Sequence, residues 1–331
     1  MTTMTHDTLA QRSRTSSGLA FAFISATTFG LSGALARGLL DAGWTAGSAV
    51  AARITIAAVV LAVPGALALR GRWHLLRRSS LTVAAYGIAA VAGAQLCYFY
   101  AVSLMDVGVA LLIEYTAPVA VVIWLWLRHG NRPSRLTVVG AVIAAVGLVL
   151  VLDVISGADL STTGVLWALG AMVGAATYFV IGADTDNGLP PITLAASGLV
   201  VGGAVLLVAG WIGVLPMRMT RTDVVYDGLE VTWWVPVLAL GLVTAAVAYV
   251  TGIAAARRLG SRLSSFVALF EVLMGLVFAW LLLGELPRGV QMVGGLLVLA
   301  GVVVVKLGEG TQAVVVEPLP EASEVSGRPV A

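Results

Sequence analysis

The chain is short of everything a water-soluble globule needs on its surface. Asp, Glu, Lys and Arg make up only 11% of 331 residues, against 59% apolar types, and mean hydropathy is +0.99. So few polar side chains cannot cover a soluble domain of this size, so the chain is assigned to lipid. A single cysteine, Cys97, excludes an intrachain disulfide and a thiolate metal cluster, and it is read as a buried, inert thiol. The three histidines, His6, His74 and His129, lie outside the apolar stretches, and no HExxH, GxSxG or GxxxxGK[ST] pattern occurs. The usual signatures of a metalloprotease, a serine hydrolase and an ATP-driven pump are therefore missing. No cofactor and no metal is called for, and the chain is not read as an enzyme. A membrane-embedded enzyme stays as the alternative of another class, which product formation without transmembrane movement would establish.

What is abundant is apolar sequence in lengths near 20 residues, enough to cross a hydrocarbon core of roughly 30 Å. Ten such stretches occur, at about 18–38, 47–69, 81–103, 107–128, 136–153, 163–183, 192–215, 233–256, 263–283 and 288–306. With both termini inside, fourteen basic residues collect on the cytoplasmic side: Arg12, Arg14, Arg70, Arg72, Arg77, Arg78, Arg128, Arg132, Arg135, Arg257, Arg258, Arg262, Lys306 and Arg328. Only Arg37, Arg218, Arg221 and Arg288 fall outside, which is the asymmetry of the positive-inside rule. The same topology accounts for the basic run Arg70 to Arg78 without nucleic acid. Trp44, Trp211, Trp233 and Trp234 near outer span ends, and Trp73 near an inner one, are read as interfacial anchors. Arg12 and Arg14 before the first stretch, with Ala34-Leu35-Ala36 after it, imitate a signal peptide. The stretch is too long and too rich in Ser and Thr for that, and is read as a helix.

The chain also repeats itself. A shift of 154 residues places Gly87 on Gly241, Ala101 on Ala255, Trp126 on Trp280, Gly130 on Gly284, Pro133 on Pro287, Gly140 on Gly294 and Gly147 on Gly301. A shift of 146 places Gly18 on Gly164 and Ala22 on Ala168. Two units of five spans, 18–153 and 163–307, follow, between a polar leader at 1–16 and a tail at 308–331 read as disordered. An odd number of spans per unit inverts the second copy in the membrane. The expected fold is thus an all-α integral membrane protein of ten transmembrane helices in two inverted five-helix repeats, with a solute site between them. Gly170 with Gly174, and Gly198 with Gly202, form GxxxG spacings suited to close helix packing.

Three formally charged side chains fall well inside spans: Arg53, Glu114 and Glu271. A charge at mid-bilayer costs on the order of 2.5 to 3.5 kcal/mol, so each must face a cavity or a partner. Counting 1.5 Å per residue, Arg53 lies about 9 Å and Glu114 about 10 Å below the outer ends of their spans. Matched depths predict that they pair, directly or through substrate. Either they form a buried salt bridge that orients two helices, or Arg53 receives a carboxylate and Glu114 an ammonium group, as an amino acid would require. Glu271 has no arginine counterpart in its own half. It is the candidate for carrying a coupling proton, since low dielectric penalises an isolated charged carboxylate. A hydrogen bond to a helix, or Arg257 or Arg258 reaching up to it, is the alternative. Gln95, Tyr98, Tyr115 and Tyr178 supply further polar groups for the same substrate site, and Tyr100, Thr116 and Thr177 lie nearby in sequence. Pro118, one turn after Glu114, is expected to break the helix there.

These features together resemble the EamA family of the drug/metabolite transporter (DMT) superfamily. The likeness rests on two five-span units, each ending in a glycine-rich helix, and on the run Trp280-Leu-Leu-Leu-Gly-Glu-Leu-Pro287 before the last one. Val109-Ala-Leu-Leu-Ile-Glu-Tyr-Thr-Ala-Pro-Val119 is similar to the "LEFTGPL" segment of exporters of the threonine/homoserine type, and Ala52-Arg53 to their "LR". In the second half the family pattern is Glu-Pro, whereas Val272 follows Glu271, which leaves a helix break there open. The resemblance implies export of a small metabolite, commonly an amino acid, across the bacterial inner membrane without ATP. Proton-coupled efflux of cationic compounds is the alternative, with Arg53 counting against it. The partners implied are a small-molecule substrate, the bilayer and, as one option, a second copy in a homodimer.

Overall fold

The computed structural model describes residues 2–104, 113–130, 132–151, 161–284, 286 and 288–312. Helices α1 (Thr2–Asp41) and α2 (Ala46–Ala68) are joined by a tight turn, with Gly43 at φ +96° and Thr45 capping α2 by accepting a hydrogen bond from the Ser48 amide. The short helix α3 (Trp73–Arg78) leads to α4, a continuous rod formed by Ser80–Ala85, a π-helical stretch Tyr86–Gly93 and Ala94–Leu104. Next come α5 (Ala117–His129), α6 (Arg135–Val151), α7 (Thr162–Ala183) and α8 (Pro191–Trp211). Strands β1 (Val224–Tyr226) and β2 (Leu229–Val231) precede α9, in which Trp234–Gly241 passes through a π stretch Leu242–Val247 into Ala248–Val267. Helices α10 (Phe270–Leu283) and α11 (Gly289–Gln312) complete the chain.

Seven of these helices are long and apolar enough to cross a membrane, and three shorter apolar ones, in α5, α6 and α10, accompany them. Part of the fourth span, and the linker around Asp159, lie outside the described residues. The backbone of residues 2–16, the expected polar leader, is helical and continuous with the rest of α1. The chain is mostly helical rather than all-α, because β1 and β2 pair antiparallel around Asp227 (φ +45°) and Gly228 (φ +81°). Asp-Gly with both residues at positive φ is the tight two-residue turn that matches strand twist.

The duplication reappears in the packing. Among the described residues, α6 packs along α11 and α2 along α8, while α1 packs on α9 and α10 just as α7 packs on α4 and α5. Exchanging the halves leaves this pattern unchanged. The two π stretches fall at positions related by the same 154-residue shift, and Trp126 and Trp280 have the same exposure of 47%. The C-caps of α5 and α10 are the matched pair Gly130 (φ +69°) and Gly284 (φ +71°), in the left-handed conformation that a Cβ disfavours. Along the α6–α11 seam, a Cβ on Gly147 would come within 2.6 Å of the Val298 nitrogen, and one on Gly140 within 2.7 Å of the Gly301 carbonyl. These glycines repeat because two backbones touch there. Gly170 and Gly174 bring α7 against Cys97 and Ala94, and Gly198 and Gly202 bring α8 against Tyr86 and Val91. Cys97 is half-buried rather than buried.

The hairpin end is a built structure. Tyr226 donates to the Leu35 carbonyl at 2.9 Å, and its ring lies over Gly38. Burial pushes its hydroxyl above the usual tyrosine range, so it stays a neutral donor. Trp44 is not an interfacial anchor: it is buried, donates to the Thr220 carbonyl at 3.0 Å and faces the Trp233 ring at 6.2 Å. Trp211, Trp234 and Trp73 are exposed, as anchors would be.

Candidate functional site

A cavity of about 450 Å³ lies between the two halves and is lined from α1, α2, α4, α5, α7, α9 and α10. All three intramembrane charges line it, as do Gln95, Tyr98, Tyr115 and Tyr178. It extends to Arg37 and Leu40, near the C-terminal end of α1. At the opposite end the helices are tied together. There Arg257 donates through Nη1 to the Leu189 carbonyl and through Nη2 to Asn187 Oδ1, Arg14 donates to the Arg257 carbonyl at 3.2 Å, and Arg258 lies 4.6 Å over the Phe21 ring.

Arg53 is 4% exposed and projects from α2. Its Nη1 donates to Gln95 Oε1 at 3.0 Å and its Nη2 to the Thr244 carbonyl at 2.6 Å, within the second π stretch. The Phe29 ring lies 5.6 Å from the guanidinium, close enough for cation–π attraction. The expected direct pair with Glu114 is absent: among the described residues the only ion pair is Arg37 with Asp41, at 3.2 Å. Depth along a helix was matched, but the guanidinium turns toward α4 and α9.

Glu114 stands at the end of a helix that is broken at Tyr115–Thr116, as Pro118 at the start of α5 requires. No hydrogen bond reaches its carboxylate from the described residues. Glu271 is not isolated. It shares the cavity wall with Tyr115, Arg53 and Glu114. Arg257 and Arg258 do not approach it, since both are engaged at the closed end. The helix break left open in the second half is present without proline: α9 stops at Val267, Ala268–Leu269 form a turn, and Glu271 sits in the first turn of α10. Both α5 and α10 therefore begin at the cavity, aiming the positive ends of their dipoles at it. The expected ninth span is in fact two half-helices.

Tyr100, Thr116 and Thr177 do not line the cavity. Tyr100 stacks on Trp167, and the two threonines bond carbonyls of their own helical turns. The structure instead adds Phe29, Phe99, Phe179 and Tyr249 to the wall. A signal for some of these exists in the repeat. Gln95 maps onto Tyr249 and Tyr98 onto Gly252 at the 154 shift, Ser32 maps onto Tyr178 at the 146 shift, and all six line the cavity.

A multi-pass helical membrane protein, duplicated in sequence and enclosing between its halves a largely apolar cavity into which a few charged and polar side chains project, is by class a solute transporter. The chain belongs to the EamA-like transporter family, whose sequence model matches residues 16–153 and again 162–307. A solved structure, described only as the crystal structure of a protein, superimposes with a TM-score of 0.73 at 21% identity, over 88% of this chain and 97% of that one. That likeness establishes the fold alone. No curated protein matches the chain.

Proposed function

We propose that this transporter is a secondary carrier exporting a small zwitterionic metabolite, of the amino-acid kind that the threonine/homoserine-type segment around Glu114 implies. It works from the bacterial inner membrane with both termini cytoplasmic. Two inverted five-helix units rock about the cavity and expose it to either face in turn. The observation carrying this reading is one cavity that gathers Arg53, Glu114 and Glu271 with the N-termini of two half-helices. Arg53 and the helix ends receive the substrate carboxylate, Glu114 its ammonium group, and Gln95, Tyr98, Tyr115 and Tyr178 its remaining polar atoms. Glu271, on the same cavity wall as Tyr115, carries the coupling proton, so that charge is exchanged beside the substrate rather than at a distance.

The test is uptake of labelled amino acids into proteoliposomes by wild type, Glu114→Gln and Glu271→Gln. Each variant loses a charged hydrogen-bonding group, and a drop of roughly tenfold or more is expected. Undiminished transport by both variants would sink the carboxylate mechanism. One observation keeps cation efflux as a second reading: Arg53 is held by Gln95 and Thr244, so it does not neutralise Glu114. A purified protein whose melting temperature rises with tetraphenylphosphonium but with no amino acid would favour that reading.

A further inference from the structure

The link between α2 and α4 carries Arg70, Arg72, Trp73, His74, Arg77 and Arg78, and all six side chains are exposed. Trp73 is 53% exposed, an unusual state for an indole. From the other side of this link Leu69, Leu75 and Leu76 pack into the main core, and Leu75 also reaches Gly188. The link is thus amphipathic and docked. It lies where the apolar helix α2 ends at Ala68 and α4 begins at Ser80, with Leu67 and Leu81 exposed on either flank. That is the level at which hydrocarbon gives way to headgroups.

Among the described residues no carboxylate comes within ion-pair distance of the four arginines. Arg72 bonds only the Ala68 carbonyl. In the facing loop, the Asp184 carboxylate is taken up locally by the Asp186 amide at 2.8 Å and by Asn187 Nδ2 at 3.4 Å. A topological bias toward basic loops would be met by arginines pointing anywhere. Here they share an outward surface with a tryptophan, while leucines anchor the reverse side. All four are arginine, whose planar fork grips phosphate oxygens two at a time, where a lysine offers a point charge.

We propose that α3 and its flanking arginines form a binding surface for anionic phospholipids, gripping their phosphodiester headgroups while Trp73 settles among the glycerol groups. The surface is tied to the closed end of the transporter. Ser79 donates to the Asn187 carbonyl at 3.4 Å, and the same loop accepts Arg257 of α9. A lipid held on α3 therefore steadies the loop that α9 must release when that end opens.

The experiment is lipid retention by the purified full chain. Detergent-solubilised protein is mixed with equal amounts of phosphatidylglycerol and phosphatidylcholine of the same acyl chains, and bound lipid is counted by native mass spectrometry. Wild type is expected to retain phosphatidylglycerol about tenfold over phosphatidylcholine, as several basic side chains at an anionic surface require. The preference should fall to parity in a variant with Arg70, Arg72, Arg77 and Arg78 all replaced by Gln, at unchanged melting temperature. Wild type without a preference overturns the proposal on its own, whether or not that variant folds. An unaltered preference in the folded variant overturns it too, and so does displacement of the lipid by poly-glutamate, which would assign the surface to an acidic protein segment.

Discussion

Burying a guanidinium is unfavourable unless its protons are met, and at Arg53 each terminal nitrogen finds an acceptor, one from each half of the chain, while the buried Nε has none among the described residues. Gln95 comes from the first half and the Thr244 carbonyl from the second, with the Phe29 ring alongside. Gln95→Leu removes one acceptor and leaves Nη1 facing an apolar side chain. A substrate that uses Arg53 should then bind with a KM raised roughly tenfold, the cost of an unmet charged donor, while Gln95→Glu should withdraw Arg53 from substrate by pairing with it. Proteoliposome kinetics measure both, and an unaltered KM in Gln95→Leu would separate Arg53 from the substrate. The three charges were legible in the sequence because ionisable residues are rare in spans. Their partners were not, because counting from a span end gives depth and leaves the direction around the helix axis open. Phe29 and Tyr249 were missed for a similar reason: an aromatic in an apolar helix faces lipid, core or cavity with equal ease.

At the scale of elements, two devices organise the site: broken helices and a glycine seam. Pro118 announced the first break, whereas the turn at Ala268–Leu269 has no proline and follows Gly260, whose φ of +80° and ψ of 163° interrupt α9 just before its last turns. The seam between α6 and α11 brings main chains together with no side chain between them. Gly147→Ala would place a methyl 2.6 Å from the Val298 nitrogen and force the helices apart, at a cost of about 1 to 3 kcal/mol. A lowered melting temperature should report it, with Gly33→Ala as the control, since a Cβ there meets nothing within 4 Å. Equal melting temperatures for the two variants would remove the seam from the account of stability.

For the whole molecule, the pairings of α2 with α8, α4 with α7, α6 with α11 and α1 with α9 and α10 all cross between halves. Each half therefore finishes its packing only on the other. A chain cut between the two matched regions, at about residue 157, should reassemble when both pieces are made together. Co-purification of an untagged half with a tagged one would show this. Two halves that each purify as stable, separate bundles would contradict it.

The sequence by itself determined the class, the duplication and the three charged residues, because hydropathy, glycine spacing and the scarcity of ionisable side chains are properties of the chain read in one dimension. Only the tertiary structure decided which groups meet. Arg53 turns to Gln95 and Thr244 instead of Glu114, Glu271 joins Tyr115 and Arg53 on one cavity wall, and the hairpin residues Val224 and Tyr226 share a buried cluster with Trp44. Each of these contacts joins residues distant in sequence, and the azimuth of a helix in its bundle is set by the packing of all its neighbours together.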